Sequence, residues 1–145
     1  MTYAETHGQE LESDYPYTAR TGSCKASSTK GKVDVKKIAS VQARSVDQLK
    51  AAIAAGPTSV TVEADRTVFQ HYTSGVMDST SCGTSLDHGV LLVGYGTEKD
   101  TPYWLVKNSW GAAWGEKGYF RVKRDMKEGD AGLCGITLSA SYPEF

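Results

Sequence analysis

Leu86-Asp87-His88-Gly89-Val90-Leu91-Leu92-Val93-Gly94-Tyr95-Gly96 and, downstream, Tyr103-Trp104-Leu105-Val106-Lys107-Asn108-Ser109-Trp110-Gly111 are the two stretches that decide the fold. Each holds an apolar, β-branched or aromatic run bounded by glycine or polar residues, the pattern of a buried strand. His88 opens the first run and Asn108 closes the second. If the two strands pair antiparallel, the start of one faces the end of the other, and Asn108 lies beside His88. Asp87 adjoins His88, but successive strand residues point to opposite faces, so Asp87 is poorly placed to orient the imidazole.

The two runs give strands over residues 89–96 and 103–108; working outward, further strands are expected over residues 59–64 and 118–123, with another over 133–140. Val33, Val35 and Ile38 to Val41 alternate with lysines, as in a half-exposed strand. Ser45-Val46-Asp47-Gln48 has the form of a capping box, with Ser45 as N-cap and Gln48 three residues on. Val46, Leu49 and Ile53 then share one face of a helix that stops at Gly56-Pro57. Short strands with one early helix predict an α+β, β-rich domain: an antiparallel barrel or curled sheet carrying one packed helix.

The chain has 145 residues and a formal net charge of −1. That length suits one domain, and so even a charge balance gives no reason to expect nucleic acid or membrane as a partner. The lysine-rich segment holding Lys25, Lys30, Lys32, Lys36, Lys37, Arg44 and Lys50 reads as a solvated face. No apolar run reaches the roughly 18 residues of a membrane span. Glu5, Glu10, Glu12 and Asp14 are the wrong chemistry for a signal peptide. Three cysteines, Cys24, Cys82 and Cys134, suggest one bridge and one orphan, and a bridge implies an oxidising compartment. Their spacing with the histidines is not that of a zinc site, and neither metal nor cofactor is expected. His7 lacks a partner motif, and His71, in Phe69-Gln70-His71-Tyr72, reads as a surface or packing residue.

A histidine that shuttles protons needs one ring nitrogen facing the reacting group and the other held by a fixed acceptor. The Asn108 carbonyl can accept that bond without adding charge. A neutral acceptor suits a thiol nucleophile, because a thiolate itself stabilises the imidazolium. Trp110 would cover the contact and keep water from it. No cysteine or serine elsewhere in the chain has the setting of a nucleophile.

These words, together with Gly132-Leu133-Cys134-Gly135-Ile136, Glu12 to Tyr17, Gly56-Pro57 and Ser141-Tyr142-Pro143, closely resemble the papain-like cysteine peptidases, nearest the cathepsin L-like branch. The resemblance runs from near residue 2 to residue 143. It implies that residues 1–145 form a single β-rich domain, the carboxy-terminal, right-hand half of a papain-like fold, with the amino-terminal helical half absent. It makes His88 the catalytic histidine and Asn108 its orienting residue. Trp110 shields their contact, and Trp114 helps form the leaving-group side of the cleft. Thr61, Leu86, Asp87, Gly89 and Ser139 become substrate-lining residues, suited to a bulky apolar side chain. Cys82 and Cys134 become a disulfide, and Cys24 is left unpaired or bridged to another chain. Cys82 lacks the helix N-terminus that lowers the family nucleophile's pKa. The implied activity is peptide-bond hydrolysis through an acyl-thioester. The implied partners are a peptide or protein substrate and a nucleophile-bearing half or companion chain, in a lysosomal, vacuolar or extracellular setting. The alternative is a catalytically silent relative that binds peptides or proteins.

Overall fold

The computed structural model describes residues 2–27, 31–124 and 127–145. The chain divides into two compact units, residues 1–39 with 143–145, and residues 40–142. The first holds α1 (Thr2–His7), where Tyr3 and His7 stack with ring centroids 4.4 Å apart. Glu5, Glu10 and Glu12 are spent within this unit, their carboxylates accepting the backbone N–H groups of Ile38, Ser27 and Tyr17. Such side-chain acceptors replace the regular ladders that this segment lacks. Lys25, Lys32, Lys36 and Lys37 are exposed or half-exposed; Lys30 lies outside the described residues.

The strands are β1 (Lys37–Ser40), β2 (Thr58–Val62), β3 (Val76–Met77), β4 (His88–Glu98), β5 (Thr101–Lys107), β6 (Tyr119–Lys123) and β7 (Ala140–Glu144). They form one mixed sheet in the order β1-β7-β2-β4-β5-β6-β3. The sheet is open and does not close into a barrel; β1 and β3 are its edges. One pairing departs from the antiparallel expectation: the two-residue β3 runs parallel to β6. β4 lies at the centre, antiparallel to both β2 and β5. Residues 133–139 are not a strand, and only Ala140 of the expected span enters one, as the first residue of β7. Gly132, Cys134 and Gly135 all have positive φ, which an extended ladder does not accept, and the segment forms a 3₁₀ turn over Leu133–Gly135 before β7.

The second unit's α2 (Val46–Ala55) is capped by Ser45, whose side chain accepts the Gln48 N–H. Gln48 does not reach back to Ser45; its side chain pairs instead with Gln42. Val46, Leu49, Ala52 and Ile53 are buried, and Val46, Leu49 and Ile53 join Val60, Leu92, Val106, Phe120 and Val122 in one core. A four-residue helix, α3 (Thr67–Gln70), carries the fully buried Phe69 into it.

Candidate active site

His88 is the first residue of the central strand, paired with Val62 of β2. On the other side, the register that sets Leu91 opposite Lys107 brings Asn108 diagonally to His88 on the same face. The chain leaves β5 at that point, and the Asn108 N–H is held by the Gly118 carbonyl at 2.9 Å. Asn108 Oδ1 lies 2.8 Å from His88 Nε2 and also 2.8 Å from the Ser109 backbone nitrogen. The Ser109 N–H is a donor, so the atom it meets must be the amide oxygen. His88 must therefore carry its proton on Nε2 when neutral, which leaves Nδ1 as the basic nitrogen. Nδ1 has no hydrogen-bond partner among the described residues.

An aromatic cradle fixes the ring. Trp110, itself 41% exposed, lies over His88 with centroids 5.1 Å apart and planes 30° apart. Phe69 presents a face or edge to His88, Trp110, Trp114 and Phe120, at centroid distances of 6.5, 5.6, 5.5 and 4.9 Å. Trp114 donates its indole N–H to the Gln70 carbonyl at 3.0 Å, which locks α3 to the loop after Asn108. Asn108 is 7% exposed, and its Nδ2 has no partner among the described residues. The side chain is thus held through its oxygen alone.

The loop that carries the tryptophans is braced from below. Arg121 forms ion pairs with Glu116 and Glu98, at 2.7 Å each. Glu116 also accepts the Gly75 N–H, and Tyr72 donates its hydroxyl to the Gly75 carbonyl. The Arg121 guanidinium, seconded by the Gly75 N–H, holds the Glu116 carboxyl below its ordinary value. Gly115 sits at φ +57° where a Cβ would meet the Tyr119 carbonyl and the Tyr72 ring, so only glycine fits this close approach.

Thr61 and Gly89 are direct partners across β2 and β4, and the Thr61 N–H donates to the Ser139 carbonyl at 3.1 Å. Leu86 is half-buried, with Cδ2 against Gly135. Asp87 turns away from the imidazole's acceptor: its carboxylate takes the Ala64 and Asp65 N–H groups at 2.8 and 3.2 Å. Cys82 and Cys134 are joined in a disulfide, and Cys24 is free and exposed. His71 is exposed at the end of α3, while Phe69 and Tyr72 beside it are buried. Phe69 is the site residue that sequence reading missed. Its signal was the apolar pair Phe69 and Tyr72 at i, i+3, which two short turns made easy to overlook.

Residues 1–144 match the family described as papain family cysteine protease. The chain belongs to this family. Among curated papain-family relatives, it is 44% identical over 137 residues to germination-specific cysteine protease 1 of Arabidopsis thaliana, covering 94% of this chain and 36% of that one. It is 47% identical over 138 residues to cysteine endopeptidase RepA of Oryza sativa subsp. japonica, again covering 94% of this chain and 36% of the relative. The chain thus spans about a third of the length of these curated relatives. Among solved structures it resembles the bromelain protease of Ananas comosus in complex with the E64 inhibitor, with a TM-score of 0.90 and 38% identity, covering 98% of this chain and 66% of that one. It also resembles digestive procathepsin L 3 of the Tenebrio molitor larval midgut, with a TM-score of 0.89 and 35% identity, covering 99% of this chain and 46% of that one. These papain-family matches place the chain in the cathepsin L-like branch.

Proposed function

We propose that this chain is the histidine-bearing, carboxy-terminal half of a cysteine endopeptidase, and that it acts on peptide bonds only with an upstream half that carries the nucleophilic thiol. One observation carries this reading: the His88 Nε2–H bond to Asn108 Oδ1 leaves a basic Nδ1 without a partner among the described residues. Nδ1 takes the thiol proton, and the resulting thiolate attacks the scissile carbonyl. The imidazolium then protonates the departing amine, and the acyl group remains on sulfur as a thioester. In the second half-reaction His88 takes a proton from water as the water attacks the thioester, which frees the acid and restores the thiol. Through both steps Asn108 holds the ring plane, and Trp110 shields the Nε2–H bond from water. Exclusion of water makes that bond stronger than it would be in solvent.

Thr61, Leu86, Asp87, Gly89 and Ser139 line the substrate side, and Trp114 lines the leaving-group side. Cys24 pairs with a cysteine of the upstream half. The disulfide agrees with an oxidising setting, lysosomal, vacuolar or extracellular. The test is to join the chain to the upstream half encoded with it and assay thiol-dependent cleavage of peptides. His88→Ala should abolish turnover while the fold persists. Full activity from residues 1–145 alone would refute the split site. A folded, complete protein with no peptidase activity would favour a silent peptide-binding relative.

A further inference from the structure

Glu63 is an acid buried to 1% exposure where β2 leaves the sheet. A carboxylate in such a place is costly unless hydrogen bonds and a cation compensate it. Its Oε2 accepts the Ser85 backbone N–H in a short bond, and its Oε1 accepts Arg66 Nε–H at 2.5 Å. Gly83, at φ +75°, leaves open the space that the carboxylate fills; a Cβ there would collide with it. The Glu63 backbone N–H donates to the Cys134 carbonyl at 2.9 Å, which ties the same residue to the disulfide turn.

These contacts converge on Leu86. The Ser85 N–H before it is held by the Glu63 side chain, and the Asp87 N–H after it by the Val62 carbonyl at 3.1 Å. The Leu86 side chain rests on Gly135, in the turn that Glu63 grips through Cys134. An ionised acceptor binds a backbone N–H more strongly than a neutral one, and Arg66 keeps it ionised from the surface side.

We propose that Glu63 is a specificity-positioning residue: its carboxylate fixes the segment 83–86 so that Leu86 forms a rigid wall two residues from His88, selecting a bulky apolar substrate side chain. This rests on the endopeptidase reading. The test uses the complete protein, this chain joined to its nucleophile-bearing half, with Glu63→Ala, Glu63→Asp and Glu63→Gln. Peptide pairs differ only in a bulky apolar residue or glycine, at each position before the scissile bond in turn. In Glu63→Ala the preference for the bulky residue, as a ratio of kcat/KM values, should fall about tenfold, the scale that loss of one apolar contact carries. The loss should appear in KM for the bulky peptide, with kcat for the glycine peptide within about twofold of wild type. Glu63→Asp keeps the charge but falls one methylene short of Ser85, so it should lose the preference too; it carries the test alone if Glu63→Ala does not fold. Glu63→Gln offers an amide oxygen to Ser85 and should retain the preference, because the half-exposed Arg66 can swing aside. Amide exchange should quicken at Ser85 in the Ala and Asp variants only. Unchanged preference in folded variants, or an equal loss of kcat on both peptides, overturns the proposal alone. A wild-type protein without thiol-dependent activity overturns the endopeptidase reading and this proposal with it.

Discussion

Asn108→Ala separates the chemistry of the site from its stability. The substitution deletes Oδ1 and with it two accepted bonds, from His88 Nε2–H and from the Ser109 N–H. It also removes a buried NH₂ that has no partner among the described residues. A hydrogen bond to a charged group contributes about 1.5–3 kcal/mol, and the proposed mechanism charges His88 during turnover. At roughly 1.4 kcal/mol per tenfold, kcat/KM of the completed enzyme should fall by about 10- to 150-fold. Stability should move far less. The lost neutral bond is worth about 1 kcal/mol, and loss of an unpaired buried donor returns about as much. Ser109 is exposed, so its freed N–H can turn to water. Urea melts should therefore agree within about 1 kcal/mol of wild type, against the 1.5–3 kcal/mol lost from the transition state. The assays are kcat/KM per titrated site and the urea midpoint of the same preparations. Activity that survives intact, or activity and stability that decline in parallel, would show that Asn108 packs the loop and does not orient the ring.

Three further outcomes follow from the packing and the charges. Phe69→Ala, at a fully buried site ringed by Trp110, Trp114 and Phe120, should cost about 3–5 kcal/mol in denaturant melts, and a loss under about 1 kcal/mol would refute the cradle. Replacing both Cys82 and Cys134 with alanine opens a loop of sequence separation 52, for which the chain-entropy relation gives about 4 kcal/mol, read as a lowered guanidinium midpoint. Glu63 is held below its ordinary value by the Ser85 N–H and then by Arg66, and Glu116 by Arg121. A depressed folded value stabilises above the unfolded carboxylate range and loses that contribution as pH falls through the folded value. Melting temperature should thus hold from neutrality to about pH 5 and drop below about pH 4, with a shallower drop in Glu116→Gln.

What could be read from the chain was what repeats locally. The α2 helix announced itself through the Ser45 cap and the spacing of Val46, Leu49 and Ile53, and it forms within a residue of its expected ends. The meeting of His88 with Asn108 needed only two apolar runs and the assumption that they pair antiparallel, which β4 and β5 do. The helices α1 and α3 span six and four residues, too few for a period of 3.6 to show. Residues 133–140 looked extended because Ile136 and Leu138 alternate with polar neighbours. Positive φ at Gly132, Cys134 and Gly135 bends that segment into the disulfide turn instead.

Glu63 shows why such reading stops where it does. Along β2 the buried positions are Thr58, Val60 and Val62, so strict alternation puts the next residue on the outer face, where an acid is unremarkable. The strand ends at Val62, the alternation fails with it, and Glu63 and Ala64 are both buried. The partner that makes burial tolerable is a backbone N–H at Ser85, a group every residue but proline possesses. No side-chain pattern can mark it. The meeting of His88 with Asn108 is legible because His88 opens one regular strand and Asn108 directly follows the other, and period and pairing fix the geometry of both. Glu63 is illegible because its partner is irregular backbone, in a loop held between the Cys82–Cys134 link and the Asp87 carboxylate's bond to the Ala64 N–H.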